Sequence, residues 1–509
     1  MVIESAIPFL FLAANPFAFL FAASLKNRGK TRVCSRRLAA LKILSRILMT
    51  VMGLGALAIV LFGPRAQTSA PPGLPADTVF IQYWEKWTGA EETQMEHIVD
   101  GFNQTVGKQK HIYVQFLSMT NIGQKTLVAT AAGVPPDVAG LWQETLVQAA
   151  ALNALTPLDD LAREHGIVDG YYKPVYWKAL HYRGHLWALI STPASVALLY
   201  NKRIFHENAA ALRAAGLDPD RPPQTLDELN RYAAVLDVYV RGPDGRQHLQ
   251  RAGYLPMEPG WYINNTPIWF GGDIWDSEHQ VFTMRTPEVL AAMKWIQGYS
   301  LRLGGDAVSE YSSAQGGFDS PQNAFIAGTV AMEQQGPWMA QYIHVNRPSM
   351  DNDWAAAPFP SAIGQKDVTY CPFDTLVIPA TSKHKREAFE FIAYVNRQDV
   401  MESLCSAHCK NSPLAKVSEA FFAHHPNKYI RVFDELANSP NAHTVVQCPI
   451  APEAGADIRN AIDALVHLTK DSSGQVITPD QMMKTLQEDL DEKWAFYAKA
   501  QARRDAAGS

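Results

Sequence analysis

Residues 79–142 alternate between two hydrophobic periods, and this alternation constrains the fold more than any other feature of the chain. The short apolar runs that are typical of strands are residues 79–83, 112–117 and 136–142. Between them, residues 88–102 and 123–132 have apolar side chains at helical spacing, and Thr88 and Glu91 have the spacing of a capping box. Strands and helices that alternate in this way predict βαβ crossovers and a mostly parallel sheet in an α/β fold.

The third predicted strand ends on an aromatic side chain. Residues 133–142 read GVPPDVAGLW, and polar Gln143 and Glu144 follow directly. Ligands of open α/β sheets bind in the crevice beyond the carboxyl ends of the strands. We therefore expect Trp142 and Glu144 at the rim of a small-molecule site, although Glu144 could instead cap the helix that follows.

Helix signals recur further along the chain. Thr225 and Glu228 again have capping-box spacing before an apolar helical pattern, and Pro287 suits the first turn of another helix. Residues 481–497 form an amphipathic pattern that predicts a docked C-terminal helix.

Length and charge narrow the class of protein. A chain of 509 residues is too long for one core, so we expect two or three domains or a protein of two lobes. Nine basic side chains and one acidic side chain precede residue 66, which gives this region a net charge of +8. Since the whole chain carries −5, the remainder carries −13. An acidic body argues against binding to nucleic acid, whose phosphates need Lys and Arg.

The basic N-terminal region lies between two apolar stretches, residues 6–25 and 47–62. The second stretch has 16 residues, between the core of a signal peptide and a full membrane span of about 20. With its basic flank on the cytoplasmic side, we interpret it as an export signal or an uncleaved inner-membrane anchor. The first stretch is either a further membrane segment or the product of a start site placed too early.

Cysteine usage agrees with export. Four thiols follow the signal region, at Cys371, Cys405, Cys409 and Cys448, and would meet an oxidising compartment. Four thiols allow three pairings, and their spacing alone does not choose among them. A bond of Cys405 to Cys409 would be strained on one helix, so a disulfide of either with Cys448 is the easier linkage. No metal site is predicted, since CSAHC lacks a second ligand pair at zinc spacing.

Several segments, taken in order, resemble one family. They are YWEKWTG at residue 83, GVPPDVAGLW at 133, LTPLDDL at 155, GHLWALISTPASVALLYNKRIF at 184, FIAGTVAMEQQGPW at 325 and DTLVIPATSKHKREAFEFIAYV at 374. They are similar to the family 1 solute-binding proteins of ATP-binding-cassette (ABC) importers, the maltose-binding-protein-like group that captures sugars outside the inner membrane. The likeness runs from about residue 78 to residue 497.

The resemblance implies a two-lobed periplasmic-binding-protein fold of type II, with a hinge of crossing segments. The crossings would lie near residues 194–199, 371–376 and 411–414. In the implied organisation, residues 1–76 form the hydrophobic signal or anchor region and linker. The two lobes would be lobe I, residues 77–195 completed by 375–412, and lobe II, residues 196–374 completed by 413–505.

The resemblance also implies ligand contacts at strand ends and one helix start. The implied ligand-binding residues are Trp84, Glu85, Trp87, Trp142, Glu144, Trp269, Phe270, Trp338 and Asp374. Aromatic rings stack on the C–H faces of sugars, while carboxylates bind their hydroxyl groups. Each of these tryptophans could instead fill the core or the lobe interface, because Trp is highly buried on average.

Enzymatic chemistry finds little support in the sequence. It lacks the G-x-S-x-G, H-E-x-x-H and G-x-x-x-x-G-K-[ST] motifs. We therefore predict a periplasmic receptor, without enzyme activity or cofactor, that binds a sugar or oligosaccharide and delivers it to ABC permease subunits. The alternatives are a non-sugar solute, such as a glycerophosphoester, polyamine or osmolyte, a secreted carbohydrate-active enzyme, and a membrane-anchored sensory module.

Overall fold

The computed structural model describes residues 73–243 and 245–508. The fold below is that of the unit that begins at residue 75. Both apolar stretches of the N-terminal region, residues 6–25 and 47–62, lie outside the described residues. Among the helices that are described, none is both long and apolar enough to cross a membrane.

Strands and helices alternate along most of the described chain. The strands are, in order, β1 (Val79–Glu85), β2 (Ile112–Ser118), β3 (Val138–Trp142), β4 (His181–Tyr182), β5 (His185–Leu186), β6 (Leu189–Pro193), β7 (Ala197–Asn201), β8 (Val238–Arg241), β9 (Gln247–Tyr254), β10 (Trp275–Asp276), β11 (Val281–Phe282), β12 (Val330–Gln335), β13 (Trp354–Ala357), β14 (Thr369–Tyr370), β15 (Phe373–Val377) and β16 (Ala442–His443). The α-helices are α1 (Gly89–Gln104), α2 (Val106–Lys110), α3 (Ile122–Ala131), α4 (Gln143–Ala151), α5 (Asp159–Glu164), α6 (Pro174–Ala179), α7 (Lys202–Glu207), α8 (Ala209–Ala214), α9 (Leu226–Leu236), α10 (Pro287–Leu303), α11 (Gly305–Ser313), α12 (Ala324–Ala327), α13 (Met339–Asn346), α14 (Lys385–Val395), α15 (Gln398–Ala407), α16 (Glu419–His424), α17 (Ile430–Ala437), α18 (Ala451–Val466) and α19 (Pro479–Gly508). Two 3-10 helices are Ile263–Phe270 and Pro348–Met350.

The first sheet has the strand order β2-β1-β3-β15-β6. The pairs of β1 with β2 and with β3 are parallel, whereas β15 runs antiparallel to both β3 and β6. In β1 the side chains alternate between the two faces of the sheet, so Ile81, Tyr83 and Glu85 are buried together. The predicted parallel α/β core is therefore present, with one returning antiparallel strand.

The second sheet has the strand order β13-β7-β12-β9-β8. The chain leaves the first sheet at Pro193 and enters the second at Ala197. It leaves the second sheet at Ala357 and returns to the first at Phe373. The described chain thus builds two α/β lobes, and short segments connect their sheets.

Capping and docking of helices explain several element ends. The hydroxyl of Thr225 accepts a hydrogen bond of 3.1 Å from the Glu228 amide and so caps α9. Thr88 occupies the corresponding position before α1, but its side chain makes no cap hydrogen bond. The C-terminal helix α19 docks through buried Leu486 and Leu490, as its amphipathic pattern predicts.

The four described cysteines are buried free thiols, so the structure forms neither of the predicted disulfides with Cys448. Cys405 instead packs in the core, where its Sγ lies 3.7 Å from the sulfur of Met401. Burial raises the pKa of Cys405 and of Cys448 to about 12, which keeps both as unreactive thiols at neutral pH.

Candidate functional site

A cavity of about 370 Å³ lies at the ends of several strands of the first sheet, and residues of the second lobe cover it. The end of β3, the end of β6 and the start of β15 meet there, because Asp374 pairs in register with both Trp142 and Thr192. The residues that line the cavity are Trp87, Glu91, Trp142, Gln143, Glu144, Thr192, Pro193, Ala194, Trp261, Tyr262, Phe318, Trp338, Tyr342, Pro372, Phe373, Asp374 and Lys410.

Lys86 supports the first-lobe side of the cavity from behind. Its Nζ lies 3.1 Å from Oε1 of Glu85 and 3.2 Å from Oδ1 of Asp374. Burial lowers the pKa of Lys86, but the two carboxylates outweigh burial and raise it above its ordinary value, so the side chain is charged. The same Nζ lies 4.4 Å from the ring centroid of Trp142, a cation–π contact that orients this ring.

Asp374 joins Lys86 to a second buried lysine. Oδ2 of Asp374 lies 3.6 Å from Nζ of Lys410 and accepts a hydrogen bond of 3.0 Å from the Thr192 hydroxyl. Nζ of Lys410 also donates to the Thr192 hydroxyl at 3.0 Å and lies 3.6 Å from Oε1 of Glu91. Burial raises the pKa of Asp374, but Lys86 and Lys410 reverse the shift and hold its pKa below the ordinary value. Asp374 therefore stays ionised at neutral pH.

Glu144 lies in the first turn of α4, beside Trp142. Its Oε1 accepts a hydrogen bond of 3.2 Å from the Gln143 side chain, whose Nε2 also donates to the Tyr370 hydroxyl at 3.0 Å. The Glu144 side chain is open to the cavity but enclosed by protein, and this desolvation raises its pKa. The carboxylate can accept hydrogen bonds from a ligand in the cavity.

Aromatic side chains form the second-lobe wall of the cavity. The rings of Trp261 and Trp338 lie 6.1 Å apart at 31°, and the edge of Phe318 packs against Trp261 at 5.3 Å. Trp338 directly precedes α13. A Cβ at Gly336 would overlap the Trp338 ring, so the missing side chain at this position allows the ring to adopt its orientation.

The structure brings five of the nine predicted ligand-binding residues to this cavity, namely Trp87, Trp142, Glu144, Trp338 and Asp374. It does not bring the other four there. Glu85 is fully buried behind Lys86, and Trp84 lies on the opposite face of β1.

Trp269 and Phe270 are the other two residues that do not reach the cavity. Trp269 is fully buried, and its Nε1 donates to the carbonyl of Val368 at 3.0 Å. Phe270 packs against Trp295 at 5.9 Å. Both belong to the 3-10 helix that ends at Gly271, and this helix turns their rings into the core.

Sequence reasoning missed several residues of the second-lobe wall and of the charged network. Trp261 and Tyr262 follow a Pro259-Gly260 turn just beyond β9, which is an aromatic pair at a strand end and could have been noticed. Phe318 and Lys410 carry no such signal, because they reach the cavity from loops that are distant in the sequence.

The chain matches a protein family and several known proteins. The model of the family described as "Bacterial extracellular solute-binding protein" matches residues 97–420. A maltotriose-binding protein of Pyrococcus abyssi is 23% identical over 236 residues, which are 46% of this chain and 44% of that protein. The sn-glycerol-3-phosphate-binding periplasmic protein UgpB of Escherichia coli K12 is 26% identical over 208 residues, 38% of this chain and 41% of that one. The chain therefore spans less than half the length of these curated relatives.

Solved structures share the fold over most of the chain. CpMnBP1 with mannobiose bound aligns with a TM-score of 0.67 and 23% identity, covering 81% of this chain and 99% of that one. The sugar-binding protein MalE of the phytopathogen Xanthomonas citri aligns with a TM-score of 0.65 and 19% identity, covering 83% and 99%. At these identities the likeness establishes a two-lobed α/β fold.

Proposed function

Because this chain belongs to the family of bacterial extracellular solute-binding proteins, we propose that it captures a sugar or short oligosaccharide between its two lobes and delivers it to an ABC importer. One observation carries the choice of ligand. Aromatic rings from both lobes, exposed Trp142 on one side and exposed Trp261 with half-buried Trp338 on the other, line one cavity together with carboxylates. Rings that stack on C–H faces and carboxylates that bind hydroxyl groups suit a sugar. The role is recognition without turnover.

The charges of the cavity favour a sugar over a glycerophosphoester, which some relatives are named for binding. Among the described lining residues there is no Arg, and the lining Lys410 is already near two carboxylates. Phosphate recognition commonly uses Arg or a helix N-terminus. Here the N-terminus of α4 has Glu144 in its first turn, which would repel an anion.

We also propose that the segments between the two sheets, residues 194–196 and 358–372, serve as a hinge. Ligand that contacts both lobes would then shift an open form toward a closed one.

We further propose that the protein is exported, with residues 47–62 as its signal or inner-membrane anchor. It would then lie in the periplasm and contact the permease subunits of the importer. Cell fractionation of the full chain, with the mass of the mature protein, tests the anchor.

A thermal-shift panel tests the ligand class. The panel holds mono- and oligosaccharides of several linkages, sn-glycerol 3-phosphate and a polyamine. A ligand at 100 times its dissociation constant stabilises the folded protein by about 2.7 kcal/mol. We expect at least one sugar to raise the melting temperature and the phosphoester to leave it unchanged. If only the phosphoester or the polyamine raises it, the carbohydrate assignment is wrong.

A further inference from the structure

The positive and negative charges of the side chains at the cavity do not sum to zero. In the described part of the chain, the cavity and its direct support hold two cations, Lys410 and Lys86. Each has two carboxylates within 4 Å, Glu85 and Asp374 for Lys86, Glu91 and Asp374 for Lys410. These three carboxylates already outnumber the two lysines. His408, which lies near Lys410, adds no positive charge, since burial and the lysine lower its pKa to about 3.

Glu144 adds a fourth carboxylate outside this network. Among the described residues it forms no ion pair, and its carboxylate accepts hydrogen bonds from the neutral Gln143 side chain and from its own backbone amide. The positive end of α4 offsets about half of a unit charge. With two lysines and four carboxylates, the cavity and its direct support carry a formal charge of −2, or about −1.5 after the helix is counted.

The surroundings of Glu144 favour a cation in the remaining space. Trp142 precedes it in the chain, and the rings of Trp261 and Trp338 form the wall of the second lobe. The faces of aromatic rings attract cations. Glu144 is exposed to the cavity, so a ligand that fills the cavity displaces water from its carboxylate. A neutral hydroxyl group would then give Glu144 a hydrogen bond but leave its charge unpaired, whereas a cation would pair with it.

Resting on the proposed sugar-binding function, we propose that the preferred ligand is an amino sugar, free or within an oligosaccharide, whose protonated amine pairs with Glu144. The sugar ring would stack on the tryptophans, and the ammonium group would supply the missing positive charge. Anionic sugars are disfavoured by the same excess of carboxylates. This names the ligand class more narrowly than the family does.

Matched pairs of monosaccharides test this proposal by calorimetry. Glucosamine, galactosamine and mannosamine are each compared with glucose, galactose and mannose, so that only an amine replaces a hydroxyl group. A hydrogen bond to a charged group predicts that the best amino sugar binds at least about tenfold more tightly than its neutral counterpart. Equal or tighter binding of the neutral sugars overturns the amino-sugar proposal and leaves the sugar-binding function intact. If none of the six binds, the same comparison is made between chitosan oligosaccharides and cello-oligosaccharides of equal length, and both proposals are wrong only if no sugar of either size binds.

A substitution separates charge pairing from stacking. Glu144→Gln keeps the shape of the side chain and removes its charge. The ratio of the affinity for the amino sugar to the affinity for its neutral counterpart should therefore fall toward one. Glu96→Gln removes an exposed carboxylate from α1, outside the cavity, and should leave the ratio unchanged. If the ratio is unchanged in Glu144→Gln, the amine of the sugar does not pair with Glu144 and the proposal is wrong.

The pH profile gives a second readout. Lys86, Asp374, Tyr262 and Tyr370 are the charged or titratable groups that face Glu144 from neighbouring elements. Affinity for the amino sugar should rise with pH as Glu144 ionises, and fall again where the amine loses its proton. The neutral counterpart should lack this maximum, and a maximum of equal size for both sugars would contradict the proposal.

Discussion

At the scale of single residues, Trp338 is an aromatic side chain that the sequence predicted as a ligand contact and that lines the cavity. It is half-buried, and its ring packs against Trp261 in the wall of the second lobe. Trp338→Ala should weaken sugar binding by at least about tenfold, because buried aromatic contacts dominate binding free energies. The melting temperature of the free protein should change little.

The matched control for Trp338→Ala is Phe496→Ala. Phe496 is 78% exposed on α19 and does not line the cavity. Calorimetry should give the control the affinity of the wild type. If Trp338→Ala binds the sugar with unchanged affinity, Trp338 does not stack on the ligand.

Two buried carboxyl groups in the second lobe predict a specific dependence of stability on pH. Burial raises the pKa of Glu258 to about 7. Burial, and then the charge of Glu258, raises the pKa of Glu333, whose two oxygens have no hydrogen-bond partner. An unfolded Glu titrates near about 4.3, so between there and pH 7 the folded protein holds the extra proton. The free energy of unfolding should therefore fall as pH rises through this window, by up to about 4 kcal/mol for Glu258.

Glu258→Gln tests this dependence. In the variant, the free energy of unfolding should no longer fall with pH by the amount that Glu258 contributes. The difference between the variant and the wild type should therefore rise in favour of the variant from pH 4.5 to pH 7 and then level off. Urea unfolding at a series of pH values measures this difference. A difference that stays constant over this pH range would mean that burial does not raise the pKa of Glu258.

At the scale of elements, two glycines predict opposite effects of the same substitution. Gly140 lies within β3, and a Cβ there would overlap the Glu85 carboxylate that holds Lys86. Gly140→Ala should destabilise the protein by about 1–3 kcal/mol, since a packed site resists an added carbon. Gly298 lies within α10, and a Cβ there meets no atom within 4 Å.

Gly298→Ala should stabilise the protein by about 0.5–1 kcal/mol, because Ala favours the helix. Urea unfolding of both variants measures the two effects. A destabilised Gly298→Ala would mean that this helix face is more crowded than its surroundings indicate. An unchanged Gly140→Ala would mean that Glu85 moves aside without cost.

Most helices and strands were predictable from the sequence, because the hydrophobic period and the capping residues are local signals. The runs at residues 79–83 and 112–117 became β1 and β2, and Pro287, which was expected in the first turn of a helix, begins α10 (Pro287–Leu303). Thr225 caps its helix, yet Thr88, in the same pattern, does not. A capping pattern therefore locates the start of a helix more reliably than it predicts the hydrogen bond.

The candidate site was predictable only where an element end carries a residue into the cavity. Trp142 ends β3 and Trp338 begins α13, and the sequence pointed to both. It also pointed to Trp269, whereas the structure places Trp261, eight residues earlier, in the cavity. Trp269 turns into the core because of the 3-10 helix and because its ring packs against Phe359. These are tertiary features, which the local hydrophobic period of the sequence does not predict.

At the scale of the whole molecule, the arrangement of the two lobes predicts how binding changes shape. Trp142 belongs to the first sheet, while Trp338 follows a strand of the second, and both line one cavity. A ligand that contacts both rings favours the closed form only by its additional contacts in that form. Saturating sugar should therefore reduce the radius of gyration measured by small-angle X-ray scattering.

Substitution on either side of the cavity distinguishes closure from binding to one lobe. At sugar concentrations that saturate each variant, Trp142→Ala and Trp338→Ala should both reduce the compaction, because each removes contacts that exist only when the lobes meet. Phe496→Ala, outside the cavity, should compact like the wild type. If one tryptophan variant compacts fully, the ligand does not need that ring for closure. If the wild type itself keeps its radius when saturated, binding does not drive closure, and the proposed hinge at residues 194–196 and 358–372 is wrong.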